Sequence, residues 1–506
     1  MIPVMRRLPN ALYTAEEVRE LDRLAIEEFA IPSATLMENA GKAAFNKLRE
    51  KWPKARRLVV LVGTGNNGGD GFVVARLARQ ANYEVRLFQV GDASRLTNDA
   101  LSMAKRWEET GGQTDAFNIG LDLGGSEVVV DGLLGTGLNT NVEGDFADAI
   151  RAINTSHAAV LAIDIPSGLD ADTGSVLGVA VNAHLTVTFI GLKRGLMTGA
   201  GPRHVGQVIY DDCRVPPNVL MKIKPSCSRL GFDGLGHLLG PRPRDMHKGQ
   251  CGHVLVIGGE SGMSGAVRLA AEAAARVGAG LVSVATRPAH AASISAACPE
   301  LMCHPVDSVA ALRVLLAKAS VVAIGPGLGQ SDWSKQMLSV VLEQDRPMVV
   351  DADALNLLAT EPVSREQWIL TPHPGEAARL LNTDTKTIQQ DRFAATIALQ
   401  KKYAGTVLLK GAGTLVASPN MPVGLCSEGN PGMASGGMGD VLTGVIAGLL
   451  AQRPQSDTMQ ALAARLGVCV HGRAADRAAH LDGERGLLAS DVIAALRETV
   501  NPAQFG

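Results

Sequence analysis

The residues best suited to chemistry in this chain are aspartates at the ends of apolar runs, with glycines crowded around them. The densest case is Gly429-Asn-Pro-Gly-Met-Ala-Ser-Gly-Gly-Met-Gly-Asp440, which runs straight into VLTGVIAGLLAQ. Glycine permits positive φ and lets a ligand approach the backbone closely. Amide N–H groups gathered where a helix begins form an anion site, reinforced by the helix dipole. An acid placed there faces whatever phosphate the loop holds and suits a base acting on a hydroxyl. The competing reading is a glycine-rich turn with Asp440 as a helix N-cap. The glycine density and the partner motifs upstream favour phosphate chemistry. Read alone, the loop is that of a kinase.

Gly63-x-Gly65-x-x-Gly68 has the spacing of a dinucleotide-binding turn, which a simple tight turn satisfies equally well. Asn66, Asn67 and Asp70 add amides and a carboxylate that orient a ribose or hold a hard cation through oxygen. Asp131 ends the run EVVV and Asp164 ends VLAI, with Ser167 in the same turn. Three such aspartates at the carboxyl edge of one sheet read as a site rather than as three caps. In the second half, Lys410-Gly-Ala-Gly-Thr414 either turns a hairpin or holds the adenosine or phosphate end of a nucleotide. His373 lies between two prolines that restrict its backbone, and is either structural or a substrate contact. Asp351 and Asp353, in VVDADALN, are either caps or partners of a metal-bound phosphate. His471, inside an alanine-rich helix, reads as a core or interface residue.

These residues need elements to position them. In the first half the apolar runs at 58–62, 85–90, 127–131, 159–164, 185–193 and 206–212 read as strands, separated by helical stretches. A capping box at Thr14–Glu17 opens the first helix and a second starts near Ser33. Strands alternating with helices predict a parallel, doubly wound α/β sheet. The pattern breaks over 214–247, rich in proline and basic residues, and restarts with HVLVIGG at 253. With 506 residues the chain exceeds one ordinary core. Two domains are expected, 1–222 and 228–506.

Composition removes several function classes. Forty-eight basic against 50 acidic residues leave a net charge of −2, and aromatics are only 4%, so nucleic acid is not an expected partner. Seven scattered cysteines without a CxxC pair suggest neither a zinc framework nor disulfides, and point to a reducing, cytoplasmic compartment. No apolar run reaches the length of a membrane span. The alanine-rich helices at Ala270–Ala275 and Ala461–Ala475 suit close packing, so a homo-oligomer, tetrameric or larger, is expected.

Taken together, the motifs carry a family resemblance. LMENAG (36–41), GTGNNGGDG (63–71), VDGLLGTGL (130–138) and DIPSGLD (164–170) resemble the NAD(P)H-hydrate epimerase domain, a Rossmann-like fold. IGGESGMSGA (257–266), GPGLG (325–329), DADALN (351–356), TPHPGE (371–376), KGAGT (410–414) and GGMGD (436–440) resemble the ADP-dependent NAD(P)H-hydrate dehydratase, a ribokinase-like α/β domain. Their order is similar to that of the bacterial bifunctional repair enzymes over nearly the whole chain. Ser264 stands where many relatives have proline.

The resemblance implies that the first domain interconverts the R and S hydrates NADHX and NADPHX. The second would restore the S form to NAD(P)H, consuming ADP and releasing AMP and phosphate. It implies epimerase ligand contacts at Asn66, Asn67, Gly68, Gly69, Asp70, Gly135, Thr136, Gly137, Leu138, Asn139, Thr140, Asn141 and Asp164. It further implies a potassium ion at Asn67, Asp131 and Ser167, with Asp164 as the acid–base residue. For the dehydratase it implies hydrate contacts at Ala266, Gly327, His373 and Asp440. Nucleotide contacts fall at Lys410, Gly411, Ala412, Gly413, Thr414 and Gly439, with magnesium sharing the phosphate charge and Asp440 as base. The alternative is a ribokinase-like small-molecule kinase with an N-terminal nucleotide-binding regulatory module.

Overall fold

A computed structural model describes residues 8–96, 98–453 and 456–501. The chain divides into two compact units between Ser228 and Arg229.

In the first unit, β1 (Ala11–Leu12) pairs antiparallel with the start of β9 (Cys227–Leu230). The helix Ala15–Glu27 opens with the expected capping box: Thr14 Oγ1 accepts from the Glu17 amide at 3.1 Å, and Glu17 Oε2 accepts from the Thr14 amide at 2.8 Å. The main sheet holds β2 (Arg57–Val62), β3 (Glu84–Gln89), β4 (Thr114–Ala116), β5 (Val128–Gly132), β6 (Ala159–Ile163), β7 (Leu185–Phe189) and β8 (Gln207–Asp211). These strands are all parallel, in the order β4-β3-β2-β5-β6-β7-β8. Successive residues feed opposite cores. Leu58, Val60 and Val62 pack with the helices Ser33–Lys51 and Asn66–Gln80, while Val59 and Leu61 pack with Gly144–Thr155. Strand order reverses between β2 and β5. The loops leaving those two strands therefore part, and open the crevice where α/β sheets bind ligands.

The helix after β2 departs from expectation. The apolar pattern places its start at Phe72, but it begins at Asn66, so Asn66 to Asp70 are helical and not loop. Gly68 makes this possible: a Cβ there would lie 2.1 Å from the Gly63 carbonyl oxygen.

The second unit repeats the principle. Its parallel strands are β10 (His253–Ile257), β11 (Leu281–Thr286), β12 (Met302–Pro305), β13 (Val321–Ile324), β14 (Met348–Val350), β15 (Trp368–Leu370) and β16 (Thr406–Leu409). The antiparallel β17 (Thr414–Ala417) and β18 (Val423–Cys426) complete the order β18-β17-β16-β15-β14-β13-β10-β11-β12. Here the reversal falls between β10 and β13. Strands β12 and β18 are additions to the sequence reading.

The helix Met438–Ala451 is apolar on nearly all sides because it is surrounded. It lies against Ser264–Arg276 and Asp457–Asp482. The alanines of both partner helices are largely buried within this unit, so they do not form the oligomer surface for which they were read. The contact is closest at Gly444, where a Cβ would sit 1.9 Å from the Ala270 carbonyl oxygen. Gly444→Val should therefore destabilise the second unit by at least ~1–3 kcal/mol. Urea unfolding followed with probes in each unit should show the second transition earlier and the first unchanged.

Candidate active sites

At the first crevice, β2 ends in Gly63-Thr-Gly65, and Gly65 is the N-cap of the next helix with no side-chain cap. The first-turn amides are thus left without the side-chain acceptor that usually takes one of them. Asn67 Nδ2 donates to the Leu134 carbonyl at 3.1 Å, while its buried Oδ1 has no partner among the described residues. Asp131, fully buried at the end of β5, accepts from the Ser167 hydroxyl (2.6 Å), the Ser167 amide (2.8 Å) and the Leu133 amide (3.2 Å). Burial pushes its carboxyl up to about 6 against the pull of those bonds. The Ser167 hydroxyl also lies 3.1 Å from the Leu134 carbonyl, so Asn67, Asp131 and Ser167 converge around one peptide. Gly135 abuts Asn67, whereas Gly137, Asn139, Thr140 and Asn141 lie exposed, with Thr136 and Leu138 half-buried between them.

Asp164 follows β6 with φ of +66°, a conformation that an aspartate holds only where its surroundings enforce it. Its backbone amide donates to the Val187 carbonyl at 2.7 Å, and its carboxylate is held by Lys193, which the sequence reading did not single out. Its ammonium, 1% exposed, donates to Asp164 Oδ1, to the Phe189 carbonyl (2.9 Å) and to the Thr188 hydroxyl (3.2 Å). The Phe189 amide also donates to Asp164 Oδ1 at 3.2 Å. Two more acids feel the pair. Burial, then Asp164 and Asp22, hold Asp70 well above the carboxylate range. Burial raises Asp22 to about 6, with Lys193 pulling it down and Asp164 pushing it up. Three carboxyls around one ammonium cannot all ionise cheaply, so this cluster carries exchangeable protons. Asp22 was detectable as an acid four residues after Val18, beside the buried stripe of its helix.

At the second crevice, Gly437 is the N-cap of Met438–Ala451, with φ of +89° and no side-chain cap. Asp440 stands three residues later, in the first turn. The N-cap reading of Asp440 is therefore wrong. Beneath Gly439 lie Lys410 and Asp351: a Cβ on that glycine would fall 3.2 Å from Lys410 Nζ and 3.6 Å from Asp351 Oδ2. Lys410 Nζ meets Asp351 Oδ1 at 2.6 Å and Glu376 Oε2 at 3.9 Å, and the Thr443 hydroxyl donates to Asp351 Oδ2 at 2.8 Å. Asp351 occupies an N-cap position without capping, because Lys410 and Thr443 hold its carboxylate. Burial, then Asp351, raises Asp440 to about 7, with Asp353 and Glu376 adding to the rise and Lys410 opposing it. The sequence reading missed Glu376 and Thr443.

The other predicted residues fall around this cluster. His373 caps its own helix: Nδ1 accepts from the Gly375 amide at 2.9 Å, and the His373 amide donates to Glu376 Oε2 at 2.7 Å. Burial and Lys410 keep the ring below its ordinary pKa, so it is neutral, with the proton on Nε2 and one edge exposed. Asp353 Oδ2 accepts from the Gly329 amide at 2.9 Å, tying two strand-end loops together. Across the crevice Ala266 and Gly327 are neighbours, 3.2 Å from the Ala266 methyl to a Cβ built on Gly327. Lys410 to Gly413 form the turn of the β16–β17 hairpin and Thr414 opens β17; the buried Arg392 supports the turn through the Leu409 and Lys410 carbonyls, both at 3.2 Å. His471 is buried, and its Nε2 has no partner among the described residues.

Comparison with known proteins places both units. Residues 33–195 match the family described as YjeF-related protein N-terminus, and residues 254–498 match NAD(P)H-hydrate dehydratase. A protein of Coxiella burnetii named bifunctional NAD(P)H-hydrate repair enzyme is 50% identical over 493 residues, covering 97% of this chain and 100% of its own. The protein of that name from Escherichia coli is 42% identical over 499 residues, covering 98% and 95%. A crystal structure of a ribokinase-like superfamily protein from Enterococcus faecalis is 30% identical, with a TM-score of 0.51, over 55% of this chain and 97% of its own. The chain belongs to the family of bifunctional NAD(P)H-hydrate repair enzymes.

Proposed function

We propose that this chain repairs hydrated NADH and NADPH in two steps. Residues 1–222 interconvert the R and S hydrates, and residues 228–506 dehydrate the S form at the expense of ADP. The observation that carries this reading is that each unit presents a buried lysine–carboxylate cluster beside an uncapped helix N-terminus, on a chain related end to end to repair enzymes.

In the first unit, Asp164 is the acid–base residue, held by Lys193 and kept near the exchangeable protons of Asp70 and Asp22. The segments Asn66–Asp70 and Gly135–Asn141 hold the dinucleotide. The oxygens of Asn67, Asp131 and Ser167 fit a potassium ion, since Asn67 Oδ1 is buried and lacks a donor among the described residues. Potassium bound there supplies positive charge towards the substrate.

In the second unit, hydroxide is a poor leaving group whereas a phosphate ester departs readily. Asp440 takes the proton of the ring hydroxyl as its oxygen receives the terminal phosphoryl group of ADP, with AMP leaving. The phosphate then leaves with the C–O bonding pair, the neighbouring ring carbon loses a proton to solvent, and the ring double bond returns. Amides of Gly436–Gly439 stabilise the transferring phosphoryl group. Ala266, Gly327 and His373 hold the hydrate, while Lys410–Thr414 and Gly439 hold the nucleotide. The hard carboxylates of Asp351 and Asp353 would suit magnesium, which would share the phosphate charge when bound. We place the enzyme in the cytoplasm, in keeping with seven cysteines that form no disulfide among the described residues and with no helix of those residues long and apolar enough to cross a membrane. We also propose a homo-oligomer, tetrameric or larger. Gel filtration giving only a monomer would exclude it.

Mixed NADH hydrates given ADP and magnesium should return to full reduced-nicotinamide absorbance. Recovery of neither epimer, or accumulation of a phosphorylated product with ATP preferred, would sink the reading in favour of a small-molecule kinase. Asp164→Ala should abolish R/S equilibration while dehydration of the S hydrate persists. Asp440→Asn should do the reverse, lowering dehydration at least ~10²-fold.

The same variant tests the charge cluster through stability. Asp440 keeps its proton to about 7 in the fold, whereas an aspartate of the unfolded chain ionises near 3.8. The folded state therefore binds more protons across that window, and its stability falls as pH rises through it. Asp440→Asn removes this penalty, so its thermal midpoint should exceed that of the parent by several degrees at pH 8 and by less at pH 5. Equal differences at the two pH values would show that Asp440 carries no raised pKa.

A further inference from the structure

Away from both crevices, the last residue of β18 meets the long helix Asp457–Asp482 through two thiols. Cys426 and Cys469 are 2% and 0% exposed, and their Sγ atoms lie 3.9 Å apart. A carboxylate oxygen of Glu428 joins them, all three atoms lying within 4.8 Å of one another. The two oxygens of Glu428 are used unequally. Oε1 accepts from Arg473 Nη2 at 2.8 Å and from the Phe232 amide at 2.9 Å, whereas Oε2 is buried with no partner among the described residues. A buried carboxylate oxygen left without a donor is costly, so Oε2 calls for a cation or a proton.

We propose that Cys426 Sγ, Cys469 Sγ and Glu428 Oε2 bind a thiophilic divalent cation of the zinc and cadmium class, with water completing a tetrahedron. Two thiolates on tetrahedral zinc, each at about 2.3 Å, stand roughly 3.8 Å apart. The observed separation already suits that arrangement. A disulfide, at about 2.05 Å, would instead draw the sulfurs together by about 2 Å. Binding releases both thiol protons to solvent, and the cation with two thiolates and one carboxylate sums to one negative charge. The Arg473 guanidinium on Oε1 balances it.

The position gives the site a purpose. Glu428 immediately precedes Gly429, whose amide donates to Asp476 Oδ2 at 2.9 Å, while Asn430 Nδ2 donates to Asp476 Oδ1 at 2.9 Å. A cation shared by Glu428, Cys426 and Cys469 adds a second clamp between that helix and the root of the 429–440 loop. It stiffens the loop from behind without entering the crevice.

The test uses the full chain, stripped with a chelator and titrated with cobalt(II), then with zinc(II) against a chromophoric competitor. One cobalt per chain should bind with thiolate-to-metal charge-transfer absorption in the near ultraviolet, and zinc should abolish that band by displacing it. Zinc should also raise the thermal midpoint of the second unit. Cys426→Ser and Cys469→Ser should lose the band, and Cys298→Ser/Cys303→Ser should keep it. Glu428→Gln should retain thiolate absorption with affinity weakened at least tenfold. A wild-type spectrum without the charge-transfer band overturns the proposal, whether or not the serine variants fold. So does a band that survives in Cys426→Ser/Cys469→Ser with native circular dichroism.

Discussion

Both crevices depend on one electrostatic constraint: a lysine ammonium buried among more carboxyls than it can neutralise. Lys193 faces Asp164 with Asp70 and Asp22 nearby, and Lys410 faces Asp351 with Glu376 and Asp440 nearby. Taking such charges out of water costs several kcal/mol per ion unless each finds additional hydrogen bonds. The fold supplies them. Thr188 and the Phe189 carbonyl serve Lys193, and Thr443 serves Asp351. The acid left over keeps a proton at a pH where a free carboxyl would have lost it, and this surplus gives each site its capacity for proton transfer.

Parallel sheets are well suited to meeting that constraint. Their strands are buried on both faces, so they must be apolar until they end, and polar residues collect at the ends. Asp131 and Asp164 lie at or just beyond the carboxyl ends of β5 and β6, and Asp351 just beyond β14. Where strand order reverses, the loops separate and leave room for a ligand among those residues. Glycine N-caps at Gly65 and Gly437 leave the facing helix amides without side-chain acceptors, a geometry that suits an anion. One architecture, met twice on the chain, delivers an acid cluster and an anion site to the same crevice.

This arrangement also explains what was readable beforehand. Glycine loops and strand-end aspartates are local features, so their types and spacing sufficed. The partners that make those aspartates special are distant. Lys193 is 29 residues from Asp164, Lys410 is 59 from Asp351, and Thr443 is 92 from Asp351. Nothing in sequence periodicity pairs residues across such gaps. The start of the Asn66–Gln80 helix was misplaced because glycines argue against helix, whereas Gly68 is needed there for close approach to Gly63. The alanine stripes misled for a related reason. Small residues signal a close contact without saying with what, and the partner of Ala270 is Gly444 of the same unit. Strands β12 and β18 are four residues long and carry no sustained alternation.

On the proposed function, Asp440 shows why a kinase-like site can serve a dehydratase without new machinery. Phosphoryl transfer to a hydroxyl is served by a base at the hydroxyl and donors at the phosphate, and in the proposed reaction the first turn after Gly437 would supply both. Whether the ester then persists is decided by the acceptor rather than by the loop. A simple alcohol keeps its phosphate, whereas a hydrated ring regains a conjugated double bond by losing it. The protein must still make Asp440 basic enough to take the hydroxyl proton, although a helix N-terminus stabilises the ionised form. Burial beside Asp351, Asp353 and Glu376 outweighs that effect and raises the carboxyl to about 7. On the proposed function, the surrounding acids thereby make an ordinary first-turn aspartate a proton acceptor matched to neutral pH.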